Sequence, residues 1–157
     1  MYNFEKLVYT YKHRKIVMYL AKLYFDNEKL LKKVYKHDMD KMYLLLFYEK
    51  KDINKFHNNI SSHHDNEIPK TELDYIEMVL DWESARYTKD DKPLNAFDTL
   101  NKYYPHLKTK ILPILEKMGI AYSTLDKDQN IVEYAKTLDS ITVDDIKKEL
   151  INYINMQ

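Results

Sequence analysis

The fold class is decided by the stretch NFEKLVYTYKHRKIVMYLAKLY, which runs from Asn3 to Tyr24. Its apolar and aromatic side chains recur every three or four residues, with lysines and an arginine between them. The residues on this stripe are Leu7, Tyr11, Val17, Leu20, Ala21 and Tyr24. This spacing predicts a helix with one buried face.

The same spacing recurs along the chain and predicts an all-α fold. Helices are expected from Asn27 onward, over residues 36–51 (marked by Met42, Leu45, Leu46 and Glu49), 72–85, 96–103 and 106–118, and after Thr142. Asn27, Thr71 and Thr142 are suitable N-caps, and Pro113 is expected to kink or interrupt its helix. Residues 58–62 are expected to form a loop and residues 89–93 a polar turn.

The composition excludes several classes of site. Gly119 is the only glycine in 157 residues, so a glycine-rich phosphate loop or dinucleotide fingerprint is not possible. There is no cysteine, which excludes disulfides, thiolate metal ligands and cysteine nucleophiles. Twenty-five basic residues balance 25 acidic residues, and nucleic-acid binding is therefore not indicated.

The chain has no recognisable targeting or membrane signal. The start, Met1 to Lys6, lacks the basic-then-apolar order of a signal peptide. The longest apolar run, Met42 to Tyr48, is far shorter than the roughly 20 residues that span a bilayer. We therefore expect a soluble cytoplasmic protein with no membrane partner, and the absence of cysteine fits a reducing cytosol.

Histidine and aspartate residues stand at positions that suit a metal centre. His13 lies on the first predicted helix, His37 and Asp38 are adjacent on the predicted third helix, and Asp81 lies within an apolar helix. Imidazole and carboxylate are the ligands expected for a divalent metal without cysteine. Adjacent helical residues diverge by about 100°, so His37 and Asp38 would share an ion only if His13 and Asp81 converge from neighbouring helices. Lys41, about one turn from His37, would point its ammonium group into the same cleft.

The ordered set His13, His37-Asp38 and Asp81, with His-Asp-x-x-Lys over residues 37–41, resembles the HD superfamily of metal-dependent phosphohydrolases. The resemblance covers about residues 10 to 104. The stretch from His57 to Tyr104, especially Glu77-Met78 and Asp81-Trp82, resembles still more a small uncharacterised HD-like family of phages and low-GC bacteria. One departure is Asp40, which stands where many His-Asp-x-Gly-Lys enzymes have glycine.

The resemblance implies how the chain is divided and what it binds. Residues 1–104 would form a single HD-like helical bundle, and residues 105–157 a C-terminal helical extension packed on it. The additional histidines His57, His63 and His64 resemble those of HD members that hold two or more metals. The expected cofactor is therefore one or two divalent ions of Mn, Fe, Zn, Mg or Ni.

The leading hypothesis is a metal-dependent phosphohydrolase acting on a nucleotide or related phosphate ester. A metal would lower the pKa of a water molecule that acts as the nucleophile, with Asp38 as an essential ligand and Lys41 neutralising developing charge. The first alternative is a non-catalytic HD-like module that binds a nucleotide or a protein, in a phage–host setting. The second is an oxygenase with an HD-type di-iron site.

Each site residue also has a simpler interpretation. His13 could belong to a solvated basic helix face, His37 and Asp38 to a surface turn, and His57, His63 and His64 to a polar loop. Lys41 could be one of many surface lysines. A buried, unpaired carboxylate at Asp81 is costly, so it needs a metal, an arginine or a helix cap.

Overall fold

The computed structural model describes residues 2–45 and 50–156, and the regular elements of this part are all helical, as the sequence predicts. No strand occurs within those ranges. The α-helices are α1 Tyr2–Tyr24, α2 Glu28–Tyr35, α3 Met39–Leu45, α4 Lys50–Ile60, α5 Glu72–Thr88, α6 Ala96–Tyr103, α7 Lys108–Met118, α8 Gln129–Thr137 and α9 Val143–Asn155. Short 3-10 turns precede α7 and follow α8.

The predicted helix caps are confirmed. The Asn27 side chain accepts a hydrogen bond from the backbone N–H of Leu30. Thr71 and Thr142 each form a capping box with the aspartate three residues later. These bonds satisfy backbone N–H groups that have no partner within the helix, and so fix where α2, α5 and α9 begin.

The predicted helix over residues 36–51 is interrupted. Residues 36–38 form a turn between α2 and α3, and Asp38 has a left-handed backbone with φ of 57°. Aspartate tolerates this conformation better than most residues, because its short polar side chain can hydrogen-bond locally. His37 and Asp38 therefore lie in a turn. The prediction that placed them on a helix is wrong. Leu46 and Glu49 lie outside the described residues.

Local structure differs from the sequence prediction in two further regions. Residues 58–60, predicted as a loop, form the last turn of α4, so the break begins only at Ser61. Helix α8 was not predicted. It is short, and its cap Asp128 accepts hydrogen bonds from the backbone N–H groups of Asn130 and Ile131.

The buried side chains form two clusters that share α1. The first cluster packs α1 against α2 and α5 to α8, and it contains Ile16, Leu20, Val79, Leu100 and Leu115. The second packs the start of α1 against α3, α4 and α9, and its members are Leu7, Tyr11, Met39, Met42, Leu45, Ile53, Ile146 and Leu150. His13 lies on α1 between the residues of the two clusters.

The segment 105–157 contributes to both clusters. Ile111, Ile114 and Ile131 are buried in the first cluster, and Ile146 and Leu150 in the second. The boundary at residue 104 remains a prediction. None of the helices in the described part of the chain combines the length and apolar character that crossing a membrane requires.

Candidate metal centre

The first group of candidate ligands comes from three elements. His13 on α1, His37 and Asp38 in the turn, and Asp81 on α5 bring ligand atoms within 4.8 Å of one another. Asp81 Oδ1 lies 2.6 Å from His13 Nε2 and 3.2 Å from His37 Nε2. Asp38 Oδ2 lies 3.5 Å from His37 Nε2. The four residues that the sequence analysis grouped therefore meet at one place.

The second group lies on the other side of Asp38. His57 near the end of α4 and His63 and His64 in the following loop also bring their ring nitrogens within 4.8 Å of one another. His57 Nε2 lies 3.2 Å from His63 Nε2. Asp38 Oδ1 lies 2.8 Å from His57 Nε2 and 3.4 Å from His63 Nε2. One oxygen of Asp38 therefore faces each group of candidate ligands.

Glu77 orients two of the histidines. Its Oε2 lies 2.8 Å from His37 Nδ1 and 3.2 Å from His63 Nδ1, and all three side chains are buried. A carboxylate on Nδ1 holds the ring proton on that nitrogen and leaves Nε2 with its lone pair for a metal. His37, His63 and Glu77 also fall within metal-binding distance of one another. Because Glu77 faces the Nδ1 atoms, we assign it to orienting the rings.

The other two ring orientations are set in the same way. His57 Nδ1 lies 2.8 Å from Asp40 Oδ2. His13 Nδ1 lies 3.1 Å from Ser84 Oγ, and this hydroxyl donates to the Asp81 carbonyl, so it accepts from the ring. In all four histidines, the Nδ1 atom is therefore engaged and the Nε2 atom faces the aspartates.

The residues fit a divalent metal by two further observations. Asp38 Oδ1 is buried and makes no hydrogen bond within the described chain, because its approach to His57 Nε2 is close but lacks hydrogen-bond geometry. A buried carboxylate oxygen without a hydrogen bond is costly, and a bound cation reduces that cost. Two nitrogens bound at about 2.05 Å to a tetrahedral ion lie about 3.3 Å apart, close to the His57–His63 separation. These buried His, Asp and Glu groups can hold a metal ion.

Charge complementarity shifts the ionisation of the whole group. Burial alone would raise the pKa of Asp38, but His37, His57 and His63 outweigh it and hold this pKa well below its usual range. Burial alone would lower the pKa of His57, but Asp38 and Asp40 raise it to about 9. Without metal, protons on the imidazoles therefore balance the carboxylates.

His64 behaves differently from the other loop histidines. Burial is the main cause that lowers the pKa of its ring, to about 4. The ring is therefore neutral at neutral pH and lies with its centroid 4.3 Å from that of His63. A neutral imidazole is the form that binds a metal.

A cavity of about 720 Å³ opens onto these ligands. His13, Asp38, His64 and Asp81 line it together with Lys41. Lys41, on α3, is half-buried, and its ammonium group makes no ion pair or hydrogen bond with the residues the structure describes. It therefore shares the lining of this cavity with the candidate ligands.

The residues that orient the ligands, Glu77, Asp40 and Ser84, were not predicted from the sequence. Glu77 and Ser84 lie four residues before and three residues after Asp81 on α5, so helical spacing places all three on one face. This spacing is the signal that could have revealed them. Asp40 had only been noted as a departure from the HD pattern, and its contact with His57 depends on the turn at residues 36–38.

No known protein-family model, curated protein or solved structure matches this chain significantly.

Proposed function

We propose that this protein is a metal-dependent phosphohydrolase of the HD type that acts on a nucleotide or a related phosphate ester. The observation that carries the proposal is the position of Asp38, whose two oxygens face two separate groups of imidazoles. Support for the HD type comes from the His-Asp-x-x-Lys motif and from the convergence of His13 and Asp81 on it.

Each group would hold one divalent ion. His13, His37, Asp81 and one Asp38 oxygen would hold the first, and the other Asp38 oxygen would hold the second with His57, His63 and His64. Divalent ions at these positions would polarise a phosphoryl oxygen and lower the pKa of a water molecule that attacks phosphorus. The carboxylates of Glu77 and Asp40 keep the imidazoles oriented throughout.

Lys41 would bind the phosphoryl group that reacts. Because it has no carboxylate partner in the described part of the chain, its charge is available to an anion in the cavity. Negative charge that grows on phosphoryl oxygens towards the transition state is stabilised by such a fixed cation. Because the contact of Lys41 with the phosphoryl group would tighten as this charge grows, Lys41 would stabilise the transition state more than the bound substrate.

The test compares two substitutions in protein purified without a histidine tag. Asp38→Ala should abolish both metal retention and turnover, because it removes the shared anionic ligand. Lys41→Ala should keep the metal but lower kcat by about 10²- to 10³-fold, as the loss of one transition-state contact does. Metal is measured by elemental analysis, and turnover by phosphate release from a panel of nucleotides with Mn, Fe, Zn, Mg or Ni.

Matched controls lie on the surface. Asp90→Ala and Lys29→Ala change exposed residues outside the cavity lining and should leave metal content and turnover unchanged. If metal is retained but no phosphate ester is hydrolysed with any divalent ion, the non-catalytic binding module is the better interpretation. If hydrolysis is absent but the iron-loaded protein consumes O₂, the oxygenase is the better interpretation.

A further inference from the structure

The cavity extends well beyond the candidate metal ligands. Its volume of about 720 Å³ lies within the range of roughly 300–1,000 Å³ typical of small-molecule sites. A single phosphate held at the metal centre would fill only the part beside His13, Asp38 and Asp81. Most of the remaining lining belongs to α5, the turn that follows it, and α6, with Tyr9 and Thr10 on α1 and Asn58 on α4.

This remaining lining is rich in lysine. Lys89, Lys92 and Lys102 line it in addition to Lys41, against a single further acid, Asp91. Within the described chain, none of these four lysines forms an ion pair with a carboxylate. Lys41 and Lys89 are half-buried and Lys92 and Lys102 are exposed, and all four line one concave space that also contains candidate metal ligands.

Lys89 is the most constrained member of this group. Its Nζ lies 4.9 Å from the centroid of the Tyr9 ring, and the Tyr9 hydroxyl lies 3.2 Å from Thr88 Oγ1. The side chain is half-buried. The cation–π contact therefore fixes the ammonium group at the cavity wall, where a neighbouring ligand can reach it.

The charges around Lys89 are close enough to act on one another. Burial lowers the pKa of Lys89 to about 8, helped by the charges of Lys92 and Lys41 and opposed by those of Asp81 and Asp91. The ammonium groups of Lys41, Lys89 and Lys92 therefore line one cavity and repel one another. Mutual repulsion of this kind is relieved by a bound anion with more than one charge.

We propose that Lys89 and Lys92 form a second anion subsite, which binds a further phosphate of a substrate whose reacting phosphate lies at the metal centre. The inference rests on the proposed function and narrows it: the substrate class is a diphosphate or triphosphate and not a simple monoester. Lys41, which lines the cavity beside the candidate ligands, contacts the phosphate that reacts.

The experiment uses the full chain, from which metal is removed with a chelator before the chelator itself is removed. Without metal, the phosphate compounds cannot be hydrolysed and cannot act by binding the metal, so the measured affinity reports their binding to the protein alone. Inorganic triphosphate and inorganic orthophosphate are titrated by isothermal calorimetry. The fluorescence of Trp82 gives a second signal, because it is the only tryptophan and lines the cavity. Triphosphate should bind at least about tenfold more tightly than orthophosphate, with an affinity that falls as salt is raised.

The variants assign the binding to the two lysines. Lys89→Gln and Lys92→Gln should each weaken triphosphate binding about two- to fivefold, the usual effect of one partly exposed charge pair. Lys89→Arg should retain most of the affinity. Lys147→Gln, which changes an exposed lysine on α9 outside the cavity lining, should bind as the wild type does. Circular dichroism checks that each variant is folded.

The two proposals fail in different ways. Equal affinity for the two anions, or undiminished triphosphate binding in both Lys89→Gln and Lys92→Gln, would overturn the subsite. That result would not contradict the proposed phosphohydrolase, because the metal-loaded protein could still hydrolyse monoesters. Conversely, triphosphate that binds through Lys89 without being hydrolysed in any metal-loaded form supports the subsite and contradicts the phosphohydrolase.

Discussion

Among the single residues of the metal centre, Glu77 affects the most candidate ligands. One of its oxygens accepts a hydrogen bond from His37 Nδ1 and lies 3.2 Å from His63 Nδ1, and these two histidines belong to different groups. Lys33 lies 3.6 Å from its other oxygen and contributes a compensating charge. Burial alone would raise the pKa of Glu77, but His37 and His63 lower it to about 2, so the residue is an anion at neutral pH.

We expect Glu77→Gln to lower metal affinity by about 10- to 100-fold, the usual effect of losing a hydrogen-bond partner of a metal-binding histidine. The amide keeps the size of the side chain, but it removes the charge and cannot accept equally well from both rings. Competition with a chelating indicator dye measures the affinity. Glu72→Gln is the control, since Glu72 is exposed on the same helix. Unchanged affinity in Glu77→Gln would mean that Glu77 only fills space.

At this scale the sequence was informative about ligand types and not about their orientation. His13, His37, Asp38 and Asp81 could be grouped because few residue types bind metal without cysteine. The roles of Asp40 and Ser84 depend on which ring nitrogen each reaches, at 2.8 Å and 3.1 Å respectively. Such distances result from tertiary packing, and no spacing along the chain encodes them.

Among the elements, α9 is tied to the turn that carries the His-Asp pair. Arg14 is fully buried, and its Nε and Nη2 atoms donate to the Tyr35 carbonyl at 2.9 and 2.6 Å. Its Nη1 donates to Glu149 on α9 at 2.5 Å, and Lys15 also binds Glu149. Tyr35 is the last residue of α2, two positions before His37. The C-terminal helix therefore supports the element on which the metal centre depends.

Glu149→Gln should lower the free energy of unfolding by about 1–3 kcal/mol, since a hydrogen bond to a buried charged group is worth about that much. The loss arises because the buried Arg14 keeps its charge and loses its anionic partner. Urea denaturation of the metal-free protein gives the value. The control is Glu133→Gln on α8, which removes an exposed pair with Lys136 and should have little effect. Equal stability of the two variants would contradict this account.

The elements themselves were predictable where local chemistry decides them. Helix α1 has clear apolar spacing, and α5 and α9 combine such spacing with a capping box, so the sequence predicted all three. The break at residues 36–38 was missed because no glycine or proline marks it. Asp38 adopts its left-handed backbone where His57 and His63 face its side chain. Helix α8 was missed because Ile131 is its only fully buried residue, so no row of apolar positions marks it.

For the molecule as a whole, metal binding and protonation compete. Without metal, the raised pKa values of His37, His57 and His63 mean that their protonated forms stabilise the fold through the carboxylates. For His57 this stabilisation is complete below the unfolded pKa of about 6.5 and is lost as the pH rises to about 9. Protonation of His64 instead destabilises the fold, because burial lowers the pKa of its ring to about 4. This effect occurs only below pH 6.5, outside the range considered for His57.

The increase in Tm on adding a divalent metal should therefore grow between pH 6.5 and 8.5. The metal-free protein loses stability over this range, while metal binds the neutral imidazoles and no longer competes with protons. Thermal unfolding followed by circular dichroism, with and without Mn²⁺, measures the difference. Asp40→Asn removes a carboxylate that raises the pKa of His57. In this variant the metal-induced increase in Tm should therefore begin to grow at a lower pH. A shift in Tm that is constant with pH would contradict the proposed ligands.

Helix α1 is shared by the two hydrophobic clusters, and this has a consequence for local unfolding. Helices α3 and α4 belong to the second cluster, so they can detach as a cooperative unit while the first cluster stays closed. Such an opening separates His57 on α4 from Asp81 on α5. Bound metal ions would prevent this opening, because their ligands come both from α4 and from α5, which lie on either side of it. The amides of α3 and α4 would then exchange with solvent only when the whole molecule unfolds.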